Sequence, residues 1–202
     1  MNDPNMPRLA AILLAAGPSS RLGCPKQLVK VDGEALVRRT ARLILGLEPE
    51  LLLVVCGHEQ DKVCSELGGL KLDTLYNPDW KQGMGGSIVA GARALPESVG
   101  GILVMVCDQW RLEAAEMQAM VEAWQQNSQR ICVANWKEGA AFVSGPPAIF
   151  PARLLRELRA MDKHRGARQV IDSNMDIVDF VEIPSAAWDL DRPAVLELML
   201  EM

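Results

Sequence analysis

The sequence predicts an α/β fold: one three-layer domain in which a mostly parallel sheet carries helices on both faces. Three observations support this. Segments of strand length recur at 9–14, 50–56, 71–76, 101–107, 130–136 and 178–183, several of them apolar runs. Segments with apolar residues at helical spacing lie between several of them, as at 34–45 and 113–126. The connections are short, and repeated strand-helix-strand units build parallel sheets with right-handed crossovers, whose ligand sites lie beyond the carboxyl ends of the strands.

The 202 residues suit one such domain with a substantial core, so 1–202 is read as a single unit with residues 1–7 as a flexible N-terminal segment. Hydrophobic residues make up 49% and charged residues 23%, the balance of a soluble globular protein, and no apolar run approaches the length of a membrane span. The first eight residues lack the apolar stretch of a secretory signal, which predicts a cytoplasmic protein with no membrane partner. A net charge of −5 argues against nucleic acid as a partner, so cations that matter act locally. Five scattered cysteines without a CxxC pair read as reduced thiols, with Cys56 and Cys107 as small hydrophobes. Cys24 differs, because it stands between Arg21 and Lys26, where cations favour a thiolate.

In chain order, the strand 9–14 is apolar throughout and gives way to Ala15, Ala16 and Gly17, then two hydroxyls and the cations Arg21 and Lys26. Small side chains let backbone N–H groups approach an anion while Arg21 and Lys26 supply opposite charge, so the loop reads as a phosphate cradle. It is neither a dinucleotide fingerprint nor a P-loop, because the glycine spacing is absent and Pro25 precedes the lysine. Gly33 marks a turn, and 34–45 sets Leu36, Val37, Ala41, Ile44 and Leu45 on one side of a helix with Arg38, Arg39 and Arg42 on the other. Strand 50–56 ends at Gly57-His58, a helix follows over 59–67, and 71–76 is a shorter strand. Pro78 and three glycines exclude helix from Asn77 to Ser87, so the next helix is expected from Ser87 to Leu95. A glycine-rich loop feeding a helix cradles a polar ligand or simply caps the helix.

The central strand 101–107 delivers Asp108. A carboxylate there is costly unless it binds a cation or accepts hydrogen bonds, although a helix cap or turn is the plainer reading. Helix 113–126 carries the core stripe Met117, Met120, Val121 and Trp124, with acids in its first turn. Strands 130–136 and 178–183 follow, and Pro193 opens a closing helix to about Met202, whose start Asp191 also favours.

The stretch Leu14-Ala15-Ala16-Gly17-Pro18-Ser19-Ser20-Arg21-Leu22-Gly23-Cys24-Pro25-Lys26 resembles the signature of the molybdenum cofactor nucleotidyltransferases, Leu-Ala-Ala-Gly-x-Ser-x-Arg-Met-Gly-x-Pro-Lys, with Leu22 for the Met. Residues 77–87 read Asn-Pro-x-Trp-x-x-Gly-Met-x-x-Ser and resemble the second signature of that family. Looser likenesses follow. Asp108-Gln109-Trp110 stands where the family has Asp-Gln-Pro, and Gly145-Pro146-Pro147-Ala148-Ile149-Phe150 resembles Gly-x-Pro-x-Leu-Phe. His164 replaces the Asp of a Gly-Asp-x-Gly-Ala-Arg motif whose end is Arg165-Gly166-Ala167-Arg168. Arg192 replaces the Thr of Asp-x-Asp-Thr-Pro, which begins at Asp189.

The resemblance to the molybdenum cofactor cytidylyltransferase family implies a Rossmann-like αβα sandwich of the nucleotide-diphospho-sugar transferase type. It implies an enzyme that joins the CMP part of CTP to molybdopterin and releases pyrophosphate. On that resemblance Leu14, Ala15, Ala16, Gly17, Lys26, Gly85, Gly86 and Ser87 hold the nucleotide, and Arg21, Lys26 and Asp108 are catalytic. Pro147, Arg165, Gly166 and Arg168 contact the acceptor, and Asp108 with Asp191 holds Mg2+. CTP and molybdopterin are then the small-molecule partners, with a molybdoenzyme or its accessory protein as a protein partner. Nucleotidyl transfer needs charge neutralisation and in-line positioning, and an ionised acceptor phosphate needs no general base. The chain accords with this, since neither of its two histidines, His58 and His164, stands in a hydrolase motif. In that family CTP users carry Ala and GTP users Gly at the position of Ala16, whose Cβ takes up space a large base would need. Two other readings stay open: transfer to another phosphorylated small molecule, and a molybdenum-cofactor-binding accessory protein without transfer.

Overall fold

The computed structural model describes residues 7–191; the expected helix after Pro193 and residues 1–6 of the expected flexible segment lie outside the described residues. In chain order the elements are β1 (Leu9–Ala15), the short pair β2 (Lys30–Val31) and β3 (Glu34–Ala35), α1 (Leu36–Leu45), β4 (Leu51–Cys56), α2 (Gln60–Glu66), β5 (Asp73–Tyr76) and α3 (Met84–Ala94). Then come β6 (Gly101–Val106), α4 (Ala114–Gln126), β7 (Ile131–Glu138), β8 (Ala141–Pro151), α5 (Leu155–Ala160), α6 (Arg168–Ser173) and β9 (Val178–Glu182). Among the described residues seven strands form one sheet in the order β5-β4-β1-β6-β8-β7-β9. β1 pairs in parallel with β4 and β6, as β4 does with β5 and β7 with β9, whereas β8 runs antiparallel to both neighbours. The mostly parallel sheet predicted from the sequence is therefore present, with one reversed strand.

Alternation along β1 explains the three layers. Leu9, Ala11, Leu13 and Ala15 face a core shared with Val37 and Ile44 of α1, Val63 of α2, and Met117 and Trp124 of α4. Ala10, Ile12 and Leu14 face the opposite core, with Ile88 and Val89 of α3, Leu155 and Leu158 of α5, and Val170 of α6. Each large apolar side chain buried this way stabilises the fold by about 1.5–3 kcal/mol. No helix among the described residues is long and apolar enough to cross a membrane.

Three departures from the sequence reading have local causes. α1 begins at Leu36, because Asp32 and Gly33, with φ of 52° and 80°, fold Glu34–Ala35 back onto Lys30–Val31. α3 begins at Met84, three residues before Ser87, so Gly85 and Gly86 lie inside its first turn. Glycine at 85 serves close approach rather than a break, since a Cβ there would lie 2.5 Å from the Lys163 carbonyl oxygen. β8 was hidden by Pro146 and Pro147. Its pairing with β7 steps from Val133↔Ala148 to Ala134↔Gly145, so both prolines fall in a bulge, where a missing N–H costs no ladder bond.

Gly101 opens β6 against the indole of Trp124: a Cβ would lie 2.4 Å from Trp124 Cζ2. Trp124 is 1% exposed and has nowhere to swing. Gly101→Ala is expected to lower stability by about 1–3 kcal/mol, read as a lower urea midpoint at unchanged m-value; an unchanged midpoint would mean that the indole yields.

Candidate active site

β1 and β6 are neighbours, and the site forms beyond their carboxyl ends. After β1 the chain loops over 16–25 before a short 3-10 turn, Lys26–Leu28. β6 is followed by Asp108, which is 7% exposed. Asp191 arrives from far along the chain: Gln109 and Asp189 form an antiparallel bridge, and the Leu190 N–H donates to the Asp108 carbonyl at 2.9 Å. Residues 189–191 thus run beside 108–109.

There the Lys26 ammonium joins the two carboxylates. Its Nζ pairs closely with Asp108 Oδ2 and lies 3.0 Å from Asp191 Oδ1, while the Arg21 guanidinium is 3.1 Å from Asp191 Oδ2. The Arg21 side chain is 73% exposed, so its pair is screened by water, but the Lys26 and Asp108 side chains are 23% and 10% exposed. Burial opposes the charge on Lys26; the charge of Asp108 and the hydrogen bonds and charge of both carboxylates outweigh it and hold the lysine above its ordinary pKa. Asp189 is pushed upward, first by desolvation and then by Asp191 and Asp108.

Asp108 Oδ1 is buried and has no hydrogen-bond partner among the described residues. An orphaned carboxylate oxygen beside a second carboxylate is a hard-oxygen donor set of the kind that holds Mg2+ together with substrate phosphates. The residues present therefore fit a divalent cation. No cluster of three or more His, Cys, Asp or Glu suited to a metal occurs among the described residues.

A cleft of about 410 Å3 opens between the first loop and the start of α3. Leu14, Ala16, Gly17, Arg21, Lys26, Ser87, Asp108 and Asp191, all expected from the sequence, line it. The second loop is held by Asn77, 4% exposed: its Oδ1 accepts from the Asp79 N–H at 3.1 Å, and its Nδ2 donates to Ser87 Oγ at 3.1 Å. The Asn77 N–H donates to the Cys56 carbonyl at 2.9 Å, which pins the loop to the end of β4. Gly83, at φ 108°, turns the chain into α3. Trp80 and Lys81 also line the cleft; the motif contains both, yet residue type alone did not mark them. Trp80 sits on Gly57, where a Cβ would lie 2.6 Å from its own Cβ, and beside the His58 ring at 5.3 Å.

The remaining expected residues lie elsewhere. Ala15 is buried in β1, Gly85 packs against the Asp162 and Lys163 backbone, and Gly86 is buried within α3; these shape the loops without lining the cleft. Pro147, Arg165, Gly166 and Arg168 do not line it either. Pro147 follows Pro146, whose carbonyl accepts from Gln109 Nε2 at 2.7 Å, so this part of β8 runs next to the segment that carries Asp108. Arg168 is engaged by Asp172 at 2.7 Å and Ser144 Oγ at 3.2 Å. His164, in place of the family Asp, donates its backbone N–H to Asp162 Oδ1 at 2.9 Å. Trp110, in place of the family Pro, is an apolar post buried with Leu22, Leu36 and Leu190, and Cys24 packs against the same cluster. The Arg111 guanidinium lies over the rings of Trp110 and Trp188 at 4.6 and 4.0 Å.

Because Trp80 depends on the bare backbone of Gly57, Gly57→Ala is expected to displace the indole and raise the KM of a substrate bound in the cleft about tenfold. An unchanged KM in steady-state assays would remove Trp80 from the binding surface.

The description MobA-like NTP transferase domain matches residues 11–178. The probable molybdenum cofactor guanylyltransferase of Synechococcus elongatus is 32% identical over 151 residues, covering 70% of this chain and 74% of that protein. The bifunctional IPC transferase and DIPP synthase of Rubrobacter xylanophilus is 41% identical over 96 residues, 44% of this chain but 22% of that longer protein. Among solved structures, Rv0371c from Mycobacterium tuberculosis superposes with a TM-score of 0.80 at 23% identity, covering 98% of this chain and all of its own. A complex of Rv0371c with manganese gives 0.76 at 21% identity, covering 96% and 98%. At those identities the structures show the fold alone. The matched span runs from β1 to the start of β9 and takes in both loops, Lys26 and Asp108, so the chain belongs to the MobA-like NTP transferase family.

Proposed function

We propose that this chain transfers CMP from CTP to the phosphate of molybdopterin, with Mg2+ as the metal and pyrophosphate as the second product. The observation that carries the reading is the Lys26 ammonium between Asp108 and Asp191, at a cleft whose first loop offers Ala16. The guanylyltransferase relative supports a molybdenum cofactor as acceptor, and the manganese complex of Rv0371c supports a divalent metal. Mg2+ held by Asp108 and Asp191 would neutralise phosphate charge and ease attack by an anionic acceptor. Arg21 and Lys26 meet the triphosphate from the protein side, stabilising the charge that grows on pyrophosphate as the bond from the α-phosphorus to its leaving oxygen breaks. The new bond joins the α-phosphorus to an acceptor phosphate oxygen that is already ionised, so no proton has to be removed. Neither His58 nor His164 lines the cleft, in keeping with this. Ser87 and Trp80 meet sugar and base, and the acceptor approaches along β8 from Pro147.

Pyrophosphate release from CTP, Mg2+ and molybdopterin tests the reading, with GTP and other phosphorylated acceptors as separate arms and chelation of the metal as a control. Lys26→Ala and Arg21→Ala are each expected to lower turnover about 10²-fold or more, and Asp108→Asn to abolish it. Folded variants that keep most of their rate would remove the phosphate and metal roles assigned here.

Base choice is the second test. Ala16 is 5% exposed and lines the cleft, and one methyl group discriminates by about 1–3 kcal/mol. CTP is expected to exceed GTP in kcat/KM, with Ala16→Gly narrowing the ratio without inverting it. A wild type that prefers GTP would overturn the pyrimidine assignment.

A further inference from the structure

The first loop has few side chains of its own to hold it, and a single buried amide spans it from below. Gln27 is 1% exposed and does not line the cleft. Its Nε2 donates to the Ala15 carbonyl at 3.3 Å and to the Gly17 carbonyl at 3.0 Å. Its Oε1 accepts from Ser19 Oγ at 3.4 Å, and Ser19 Oγ accepts from the Lys26 backbone N–H at 3.0 Å. Two carbonyl acceptors can be met only by the NH2 end of the amide, so its orientation follows from its partners.

The loop needs such a hold. Ser19 has φ 53°, a left-handed conformation that costs a non-glycine residue on the order of 1 kcal/mol and persists only where its surroundings impose it. A trans peptide carries its C=O and N–H on opposite sides, so anchoring the Ala15 carbonyl turns the Ala16 N–H the other way, and anchoring the Gly17 carbonyl fixes the plane of the Gly17–Pro18 peptide. Through Ser19, the same network reaches the backbone of Lys26, whose ammonium meets Asp108 and Asp191.

We propose that Gln27 is the positioning residue of the phosphate loop: it touches no substrate, and it sets the loop backbone and the base of Lys26 for the β- and γ-phosphates of the nucleotide. This rests on the nucleotidyl-transfer reading above.

Gln27→Met keeps the length of the side chain and removes both donors. Gln27→Glu keeps the shape and sets a carboxylate against two carbonyls. Calorimetric titration of the full chain in Mg2+ with CTP, GTP and CMP separates the possibilities. Gln27→Met is expected to bind CTP about tenfold more weakly and Gln27→Glu more weakly still. CMP lacks the outer phosphates, so its affinity is expected to change by about twofold at most and the CTP-to-CMP affinity ratio to fall. A merely structural role would weaken both nucleotides alike. If Gln27→Met does not unfold cooperatively, Ser19→Ala, which removes the bonds of Ser19 Oγ to Gln27 and to the Lys26 N–H and leaves the two carbonyl bonds of Gln27 in place, is expected to lower the ratio about threefold. A ratio equal to that of the wild type in the folded variants overturns the proposal, and a wild type that binds neither CTP nor GTP overturns it together with the reading on which it rests.

Discussion

Two carboxylates that must stand together need a cation between them, and Lys26 supplies it. Two like charges 4 Å apart repel by about 4 kcal/mol at the effective dielectric of a protein surface, so Asp108 and Asp191 could not share this half-buried place without a positive partner. Lys26 comes from the loop after β1, Asp108 from the end of β6, and Asp191 from a segment bridged to Gln109. Their meeting is the point at which the first loop, the central strand and the end of the described chain are tied together. Much of the remaining structure keeps that meeting in register. β1 and β6 are neighbours from Leu9↔Gly101 to Leu14↔Val106, and the Leu190 N–H on the Asp108 carbonyl sets Asp191 opposite.

The departures from the family pattern become intelligible around this centre. Proline after Asp-Gln would stiffen the strand exit; here Trp110 fills the space under Leu22 and Leu190 and so braces the first loop and the Asp191 segment by packing. Arg111 over Trp110 and Trp188 extends the brace outward. With His164 in place of the Asp, the side chain of Asp162 takes the backbone N–H two residues on, and the same loop closes against Gly85 at the start of α3. The start of α3 and the 162–163 backbone are therefore in direct contact at Gly85, which constrains both.

Much of the fold was legible in the sequence. Buried parallel strands are unbroken apolar runs, and β1, β4 and β6 read as such because both faces of each are covered. The amphipathic stripe of α4 and the turn at Gly33 were equally plain, since each depends on neighbours only a few residues away. β8 was not legible, because Gly145, Pro146 and Pro147 argue against a strand until the bulge with β7 is known. The start of α3 was misplaced for a related reason: glycine at 85 answers to Lys163, 78 positions away, and not to local propensity.

For the site, the sequence by itself determined the chemical inventory: a small-residue loop with two cations, a carboxylate at a strand end, a second near the close of the described chain, and a glycine-bearing loop before a helix. Only the tertiary structure decided which of these meet. It joined Lys26 to both carboxylates, left Gly85, Gly86 and the Arg168 group off the cleft, and brought in Trp80 and Lys81 at its wall and Gln27 beneath the loop. The physical reason is the range over which each choice is made. Local propensity and periodicity act within a turn or a strand and are written in adjacent residues, whereas an ion pair across 165 positions exists only once strand order and register have placed its partners within 3.0 Å.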